Sequence, residues 1–196
     1  MVQHNNKLNL YEDVADLHLS SLKYGFLPTL GKKFLKLMYR CIDESKDSVL
    51  ITIYDKNILK GYVSASLGKR STYKLMLIHP IKLFLVLFQI LYKPKKFLKV
   101  VNIVLHMKSK KRSNYPQEEL LSIAVNHEYR RQGVAEQLYK ELIEYFKNNN
   151  VKNFTIIVGK DLEANFFYKK IGAVISDEIR VHNNKISYVY TYKIQI

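Results

Sequence analysis

The chain is poor in the residues that staple or metallate a small domain. Cys41 is the single cysteine in 196 residues, which excludes an internal disulfide and suits a reducing compartment. No group of Cys and His has metal-ligand spacing, so no metal is expected. The stretch Met1 to Asn9 is polar and lacks the apolar core of a secretory leader, and a cytoplasmic protein is the resulting expectation. Three catalytic templates are also missing: the Gly-x-Ser-x-Gly nucleophile turn, the His-Glu-x-x-His zinc helix and the Gly-x-x-x-x-Gly-Lys-Ser/Thr phosphate loop.

Acid is missing from one long stretch. Between Lys56 and Pro116 there is no Asp or Glu, yet the span holds fourteen Lys and Arg. The formal net charge of +15 therefore sits almost wholly there, which leaves 18 of the 32 basic residues against all 17 acidic ones elsewhere. One basic segment on an otherwise neutral domain points to one surface with an acidic or phosphate-rich partner. Aromatic residues do not alternate with the basic ones as a base-stacking platform requires, so nucleic acid is not expected. Leu75 to Tyr92 is apolar on every side, but His79, Pro80, Lys82 and Gln89 interrupt it, which makes it a poor spanning helix. Two helices breaking at Pro80 are expected, followed by apolar Phe97 to Leu105 and the cluster Lys108, Lys110, Lys111 and Arg112. Three roles stay open for residues 69–112: a helical cap over the domain, a surface whose apolar side chains enter an anionic membrane, or a dock for an acidic carrier protein.

What is present is organised around Leu120 to Phe146. Leu120-Leu121-Ser122-Ile123-Ala124-Val125 is a short apolar run closed by Asn126-His127-Glu128, which suits a buried strand. Val134, Ala135, Leu138, Tyr139, Leu142, Ile143 and Phe146 then recur at three- and four-residue intervals, the period of one helix face on a core. Between them lies Arg130-Arg131-Gln132-Gly133-Val134-Ala135, two cations and a glycine where a helix start exposes unpaired N–H groups. Those amides and the positive end of the helix dipole make an anion site, with Gly133 and Ala135 keeping the surface low.

Here the sequence resembles the GNAT superfamily of acyl-CoA N-acyltransferases, whose signature is Arg/Gln-x-x-Gly-x-Gly/Ala after a central strand. Arg130, Gly133 and Ala135 fill its three positions. After Phe154 to Val158, the segment Asp161 to Ala173 resembles the family's Asn-x-x-Ala-x-x-Phe-Tyr-x-Lys-x-Gly-Phe, with Ala164, Phe167, Tyr168, Lys170 and Gly172 in register. Asp161, Ala173 and His127 depart from it. The resemblance implies that the amides of Arg130, Arg131, Gln132, Gly133, Val134 and Ala135 cradle the pyrophosphate of acetyl-CoA. It also implies that the backbone of Ile123, Ala124 and Val125 pairs with the pantetheine arm. Asn165 is expected to take over the contact that Asp161 puts in doubt. Tyr168 matches the position of the family's general acid, though it also lies on an apolar face with Ala164, Phe167 and Ile171 where a core tyrosine fits. Glu119 stands where several members place a catalytic glutamate, and only one of Glu118 and Glu119 can face the cleft.

Tyr11 to Ser21 and Leu30 to Ser45 read as two amphipathic helices, and Val14-Ala15-Asp16-Leu17-His18 through Met38-Tyr39 resembles GNAT members of glycan biosynthesis. His18 and Tyr39 read there as core or rim residues rather than acceptor contacts. Val49 to Tyr54 and Leu59 to Ser66 suit a hairpin turning at Lys56-Asn57, and Val174 to His182 and Lys185 to Ile194 a second one turning at Asn183-Asn184. At 47% hydrophobic residues the chain can bury a sizeable core. The expected fold is one α/β GNAT domain over residues 1–196, a mixed, mainly antiparallel sheet with a basic helical insertion at about 67–117 between the third and fourth strands. The expected activity is acetyl transfer from acetyl-CoA to a primary amine of a small molecule, an amino sugar on a nucleotide or lipid carrier being favoured. A long-chain acyltransferase fed by acyl carrier protein and a non-catalytic CoA-binding protein at the inner membrane face are the alternatives.

Overall fold

The computed structural model describes residues 7–23, 25, 27–68, 115–181 and 185–195. The elements are α1 (Lys7–Ser21), α2 (Lys32–Asp43), β1 (Ser48–Asp55), β2 (Ile58–Ser66), β3 (Glu119–Val125), α3 (Val134–Asn148), β4 (Asn153–Gly159), α4 (Ala164–Lys170), β5 (Val174–Val181) and β6 (Lys185–Lys193). The strands form one six-stranded sheet in the order β1-β2-β3-β4-β6-β5. β3 and β4 are parallel, and every other neighbour pair is antiparallel. The expected mixed, mainly antiparallel α/β sheet is therefore the observed one.

Each helix follows from its apolar period and its ends. In α2, Phe34, Leu35, Leu37, Met38, Tyr39, Cys41 and Ile42 are buried, a wide stripe that packs on the sheet and on α1. It begins at Lys32 rather than Leu30, because Gly31 at φ 86° breaks the backbone between the 3-10 turn Leu27–Leu30 and the helix. On the solvent side Lys32 pairs with Glu12 and Asp16, both at 2.8 Å, and fastens α2 to α1. α3 buries Val134, Leu138, Tyr139, Leu142 and Phe146.

The sheet separates two cores. On one face α1 and α2 cover Leu59, Tyr62 and Ala124, with Leu50, Tyr54 and Leu121 at the margin. On the other, α3 and α4 cover Val63, Ala65, Leu120, Phe154, Ile156, Val158 and Tyr190. Gly61 lets these layers close: a Cβ there would meet the Ala124 carbonyl oxygen at 2.9 Å and Leu138 at 3.0 Å.

Two expectations need amending. The hairpin β1–β2 supplies the first two strands of the described sheet, not the second and third, so residues 69–114 leave between the second and third strands. The proposed helices of that segment, its lysine cluster and the Asn183-Asn184 turn lie outside the described residues. No helix among the described residues is long and apolar enough to cross a membrane.

Candidate active site

β3 and β4 run side by side for only two rungs, Glu119 to Thr155 and Leu120 to Ile156, and beyond Ile156 β4 pairs with β6 alone. The parallel strands therefore part after Leu120. The Asn126 N–H donates to the Lys60 carbonyl at 2.8 Å, and with Ala124 opposite Tyr62 this fixes which backbone groups face which neighbour. Groups alternate along an antiparallel ladder, so Ala124 bonds to β2 while Ile123 and Val125 turn their N–H and C=O toward the opening. Of the three residues expected to offer backbone to a ligand, Ala124 is thus spent within the sheet.

At the end of that opening, Gly133 caps α3 in the left-handed region at φ 78°, with no side-chain cap. Space above it is open, since nothing lies within 4 Å of where a Cβ would stand. The first-turn N–H groups have no helical acceptors. Arg130, Arg131 and Gln132 are exposed around them; Arg131 is itself left-handed at φ 60°, and Gln132 Nε2 donates to the Glu128 carbonyl at 2.8 Å. Glu136, paired with Lys170 at 3.1 Å, is the acid at this end, its carboxyl held below its usual range by that lysine.

Tyr168 is 4% exposed, ring to ring with Phe167 and Tyr190. Burial raises its pKa, because nothing cationic compensates a buried phenolate. Ala164, expected on the same buried face, is exposed. Asn165 is buried and fully engaged: Nδ2 donates to the carbonyls of Gly159, Lys160 and Leu162 at 2.9, 3.0 and 2.7 Å, and Oδ1 accepts from the Tyr190 hydroxyl at 2.9 Å. It ties β4 to α4, which leaves it no donor for a cofactor and corrects the role expected of it. Glu119 is half-buried at the start of β3, opposite Ser66 and beside Thr155. Leu120 faces α3, so Glu119, its neighbour, lies on the α1/α2 face.

That face also carries a polar cluster that sequence reasoning missed. His18 Nδ1 lies 2.6 Å from the Tyr39 hydroxyl and 3.0 Å from that of Tyr62, and the two hydroxyls are 2.8 Å apart. Tyr39 reaches Ser122 Oγ at 3.1 Å, and Ser122 reaches Ser64 Oγ at 2.7 Å. His18 is 2% exposed and Tyr39, Tyr62 and Ser64 are sealed; Ser122 alone is half-buried. Burial lowers the His18 pKa to about 4, so the ring is neutral at pH 7. The sequence signal was slight, two helix-face residues 21 positions apart and hydroxyls on separate strands. Among the described residues no group of His, Cys, Asp and Glu is placed to hold a metal ion.

Residues 103–191 match the model of the acetyltransferase (GNAT) domain family. No curated protein matches the sequence. Among solved structures, the chain is similar to an aminoglycoside 6'-N-acetyltransferase complexed with coenzyme A (TM-score 0.61, 11% identity, covering 99% of this chain and 96% of that one). It is also similar to the ribosomal-protein-S18-alanine N-acetyltransferase of Escherichia coli (TM-score 0.59, 10% identity, 97% and 92%) and to a GNAT acetyltransferase of Streptococcus pneumoniae (TM-score 0.58, 14% identity, 100% and 99%). The parted parallel strands and the glycine-led helix start fall within the matched segment, and the chain shares the fold of these GNAT structures.

Proposed function

We propose that the chain is an acyl-CoA-dependent N-acetyltransferase, moving an acetyl group from acetyl-CoA to a primary amine by direct attack in a ternary complex. The observation that carries this reading is the opening between β3 and β4, with the Ile123 and Val125 backbone on one lip and the uncapped start of α3 at its end. In this reading Ile123 and Val125 pair with the pantetheine arm. The amides from Gly133 to Ala135, with Arg130, Arg131 and Gln132 around them, hold the pyrophosphate. Two supports are independent of one another: the family match over residues 103–191 and the coenzyme A bound in the similar aminoglycoside enzyme.

Acetyl-CoA supplies an activated thioester, and the protein's own groups manage the protons. Tyr168 is the proposed acid for the departing thiolate; burial keeps it protonated at every working pH. Glu119 is the proposed base for the amine, because it shares the α1/α2 face with Ser122 just before the strands part. For the acceptor we favour an amino sugar on a nucleotide or lipid diphosphate. The opening helices resemble those of glycan-pathway members, and the fourteen cations of the acid-free segment suit a diphosphate. We assign residues 1–196 to a single domain. The similar enzymes act on acceptors as different as an aminoglycoside and a protein alanine, so the fold does not choose between them.

Calorimetric titration with acetyl-CoA tests the site. Micromolar binding, about −8 kcal/mol, lost in Gly133→Glu, is expected. Failure of acetyl-CoA to bind, together with turnover of an acyl group on acyl carrier protein, would replace this reading with the long-chain one. Once an acceptor is found, Tyr168→Phe should lower kcat by about 100-fold or more if Tyr168 is the acid.

A further inference from the structure

The His18–Tyr39–Tyr62–Ser122–Ser64 cluster has no part in holding acetyl-CoA, and neither proposed proton-transfer residue belongs to it. Most buried polar groups are satisfied, and counting protons against lone pairs gives an order for their hydrogen bonds. A neutral imidazole nitrogen offers one lone pair or one proton. A phenol is a far better acid than an imidazole N–H, so at 2.6 Å the Tyr39 hydroxyl donates to His18 Nδ1. With its proton committed, Tyr39 accepts from Tyr62 and from Ser122. Ser122 thereby shares its own proton between the Tyr39 and Tyr62 hydroxyls and accepts from Ser64, which leaves one lone pair on Ser122 Oγ. The proton run is set from the His18 end. Were Nδ1 protonated, it would donate to Tyr39, Tyr39 could turn its single proton to Ser122, and Ser122, still accepting from Ser64, would present a proton instead.

That lone pair has a defined place. Leu121 is an extra residue in β3, since Ser122 pairs with Ser64 and Leu120 with Ala65. The bulge turns Leu121 and Ser122 to the same α1/α2 face as Glu119. Ser122 lies two residues past the last β3–β4 rung and is the one member of the cluster that is not sealed.

We propose that Ser122 Oγ accepts a hydrogen bond from the N–H of the attacking, unprotonated primary amine at the mouth of the β3–β4 opening, with Tyr39 and His18 as positioning residues that keep its lone pair turned outward. The proposal rests on the acetyltransferase reading. Bonding one amine N–H to Ser122 turns the nitrogen lone pair toward the thioester carbonyl and leaves a second N–H for Glu119, so binding and proton removal fall to different residues. A tertiary amine, with no N–H, is not recognised.

The test compares Ser122→Ala and Ser122→Thr with the wild-type protein. The readouts are thiol release from acetyl-CoA with glucosamine, ethanolamine or no amine, and calorimetric binding of acetyl-CoA. Ser122→Ala is expected to lower amine kcat/KM by about tenfold or more, the worth of one hydrogen bond to the reacting group. Its acetyl-CoA affinity should not change. Ser122→Thr, which keeps the hydroxyl, should regain most of the loss, and His18→Gln should raise the amine KM while sparing acetyl-CoA binding. An unchanged Ser122→Ala, equal damage in the Ala and Thr variants, or a wild-type protein that binds acetyl-CoA yet releases thiol no faster with either amine would overturn the role of Ser122. Failure of the wild-type protein to bind acetyl-CoA would instead overturn the acetyltransferase reading beneath it.

Discussion

The two faces of the sheet bury side chains to similar depth and use them in opposite ways. Under α3 and α4 the interior is an aromatic mass: Phe146 and Phe154 stack at 4.7 Å, and Tyr139 packs edge-on against Phe167 and Tyr192. Two of its hydroxyls, those of Tyr139 and Tyr145, are buried with no hydrogen-bond partner among the described residues, while that of Tyr190 donates to Asn165. Under α1 and α2, the buried hydroxyls of Tyr39, Tyr62 and Ser64 all find partners in one chain of bonds from His18 to the central strand. On the first face Tyr139 and Tyr145 are large apolar residues with a penalty attached. On the second, Tyr39 and Tyr62 are links in a directed network.

The largest test of this contrast is on the apolar face. Leu142 is fully buried in the middle of α3, and Leu142→Ala should cost about 2–5 kcal/mol in urea unfolding from the lost contacts and the cavity left behind. Retained acetyl-CoA affinity below the unfolding range would mark this face as scaffold. A comparable effect on the other face comes from pH. His18 falls from an ordinary value near 6.5 to about 4 because burial disfavours its charged form. Between these values the unfolded chain binds more protons than the folded one, so stability should drop as pH falls from about 6.5 to about 4. The full difference is about 3 kcal/mol. Glu12, lowered to about 2 by Lys32 and Lys36, loses its contribution in a lower window, between its ordinary range and 2. Unfolding curves at pH 7, 5.5 and 4.5 report on His18 chiefly, and His18→Gln should flatten them.

Smaller and more pointed is Tyr39→Phe. It keeps the ring but removes the hydroxyl shared by His18 Nδ1, Tyr62 and Ser122, which then rely on the His18–Tyr62 and Ser122–Ser64 contacts, and about 1 kcal/mol of stability should go with it. A loss within the error of measurement would mean that the network is no better satisfied than the tyrosines across the sheet.

Much of the fold and part of the site were legible in the sequence, for local reasons. The change from a strand-like run to a 3.6-residue period around Arg130–Ala135 located β3, the loop and the start of α3 to within a residue. Gly133 signalled the helix start because its φ of 78° is costly for any other residue. The parting of β3 and β4 was not legible. It is a matter of which backbone groups lack neighbours, and that depends on β6 drawing β4 away. Ser122 was hidden for two reasons: its partner Tyr39 is 83 positions distant, and the Leu121 bulge breaks the alternation by which a strand residue's face is read. Asn165 misled because a buried asparagine satisfied by three carbonyls looks, in sequence, like one free to meet a ligand.

The smallest expected effect is the sharpest of the comparisons, because it predicts a gain. Tyr145 presents a buried hydroxyl with no hydrogen-bond partner among the described residues, while its ring lies against Phe146 at 5.8 Å. Removing the oxygen alone, in Tyr145→Phe, keeps the ring contact and abolishes the cost of an unsatisfied polar group. Stability should stay level or rise by about 1 kcal/mol. The same one-atom change at Tyr39 is destabilising by the preceding argument. The two variants differ from wild type by the same atom in the same residue type, so opposite signs would isolate the hydrogen-bond network as the cause. A loss at Tyr145 equal to that at Tyr39 would mean that ordered water satisfies the α3 face, and the contrast between the two faces would then be one of solvent access rather than of design.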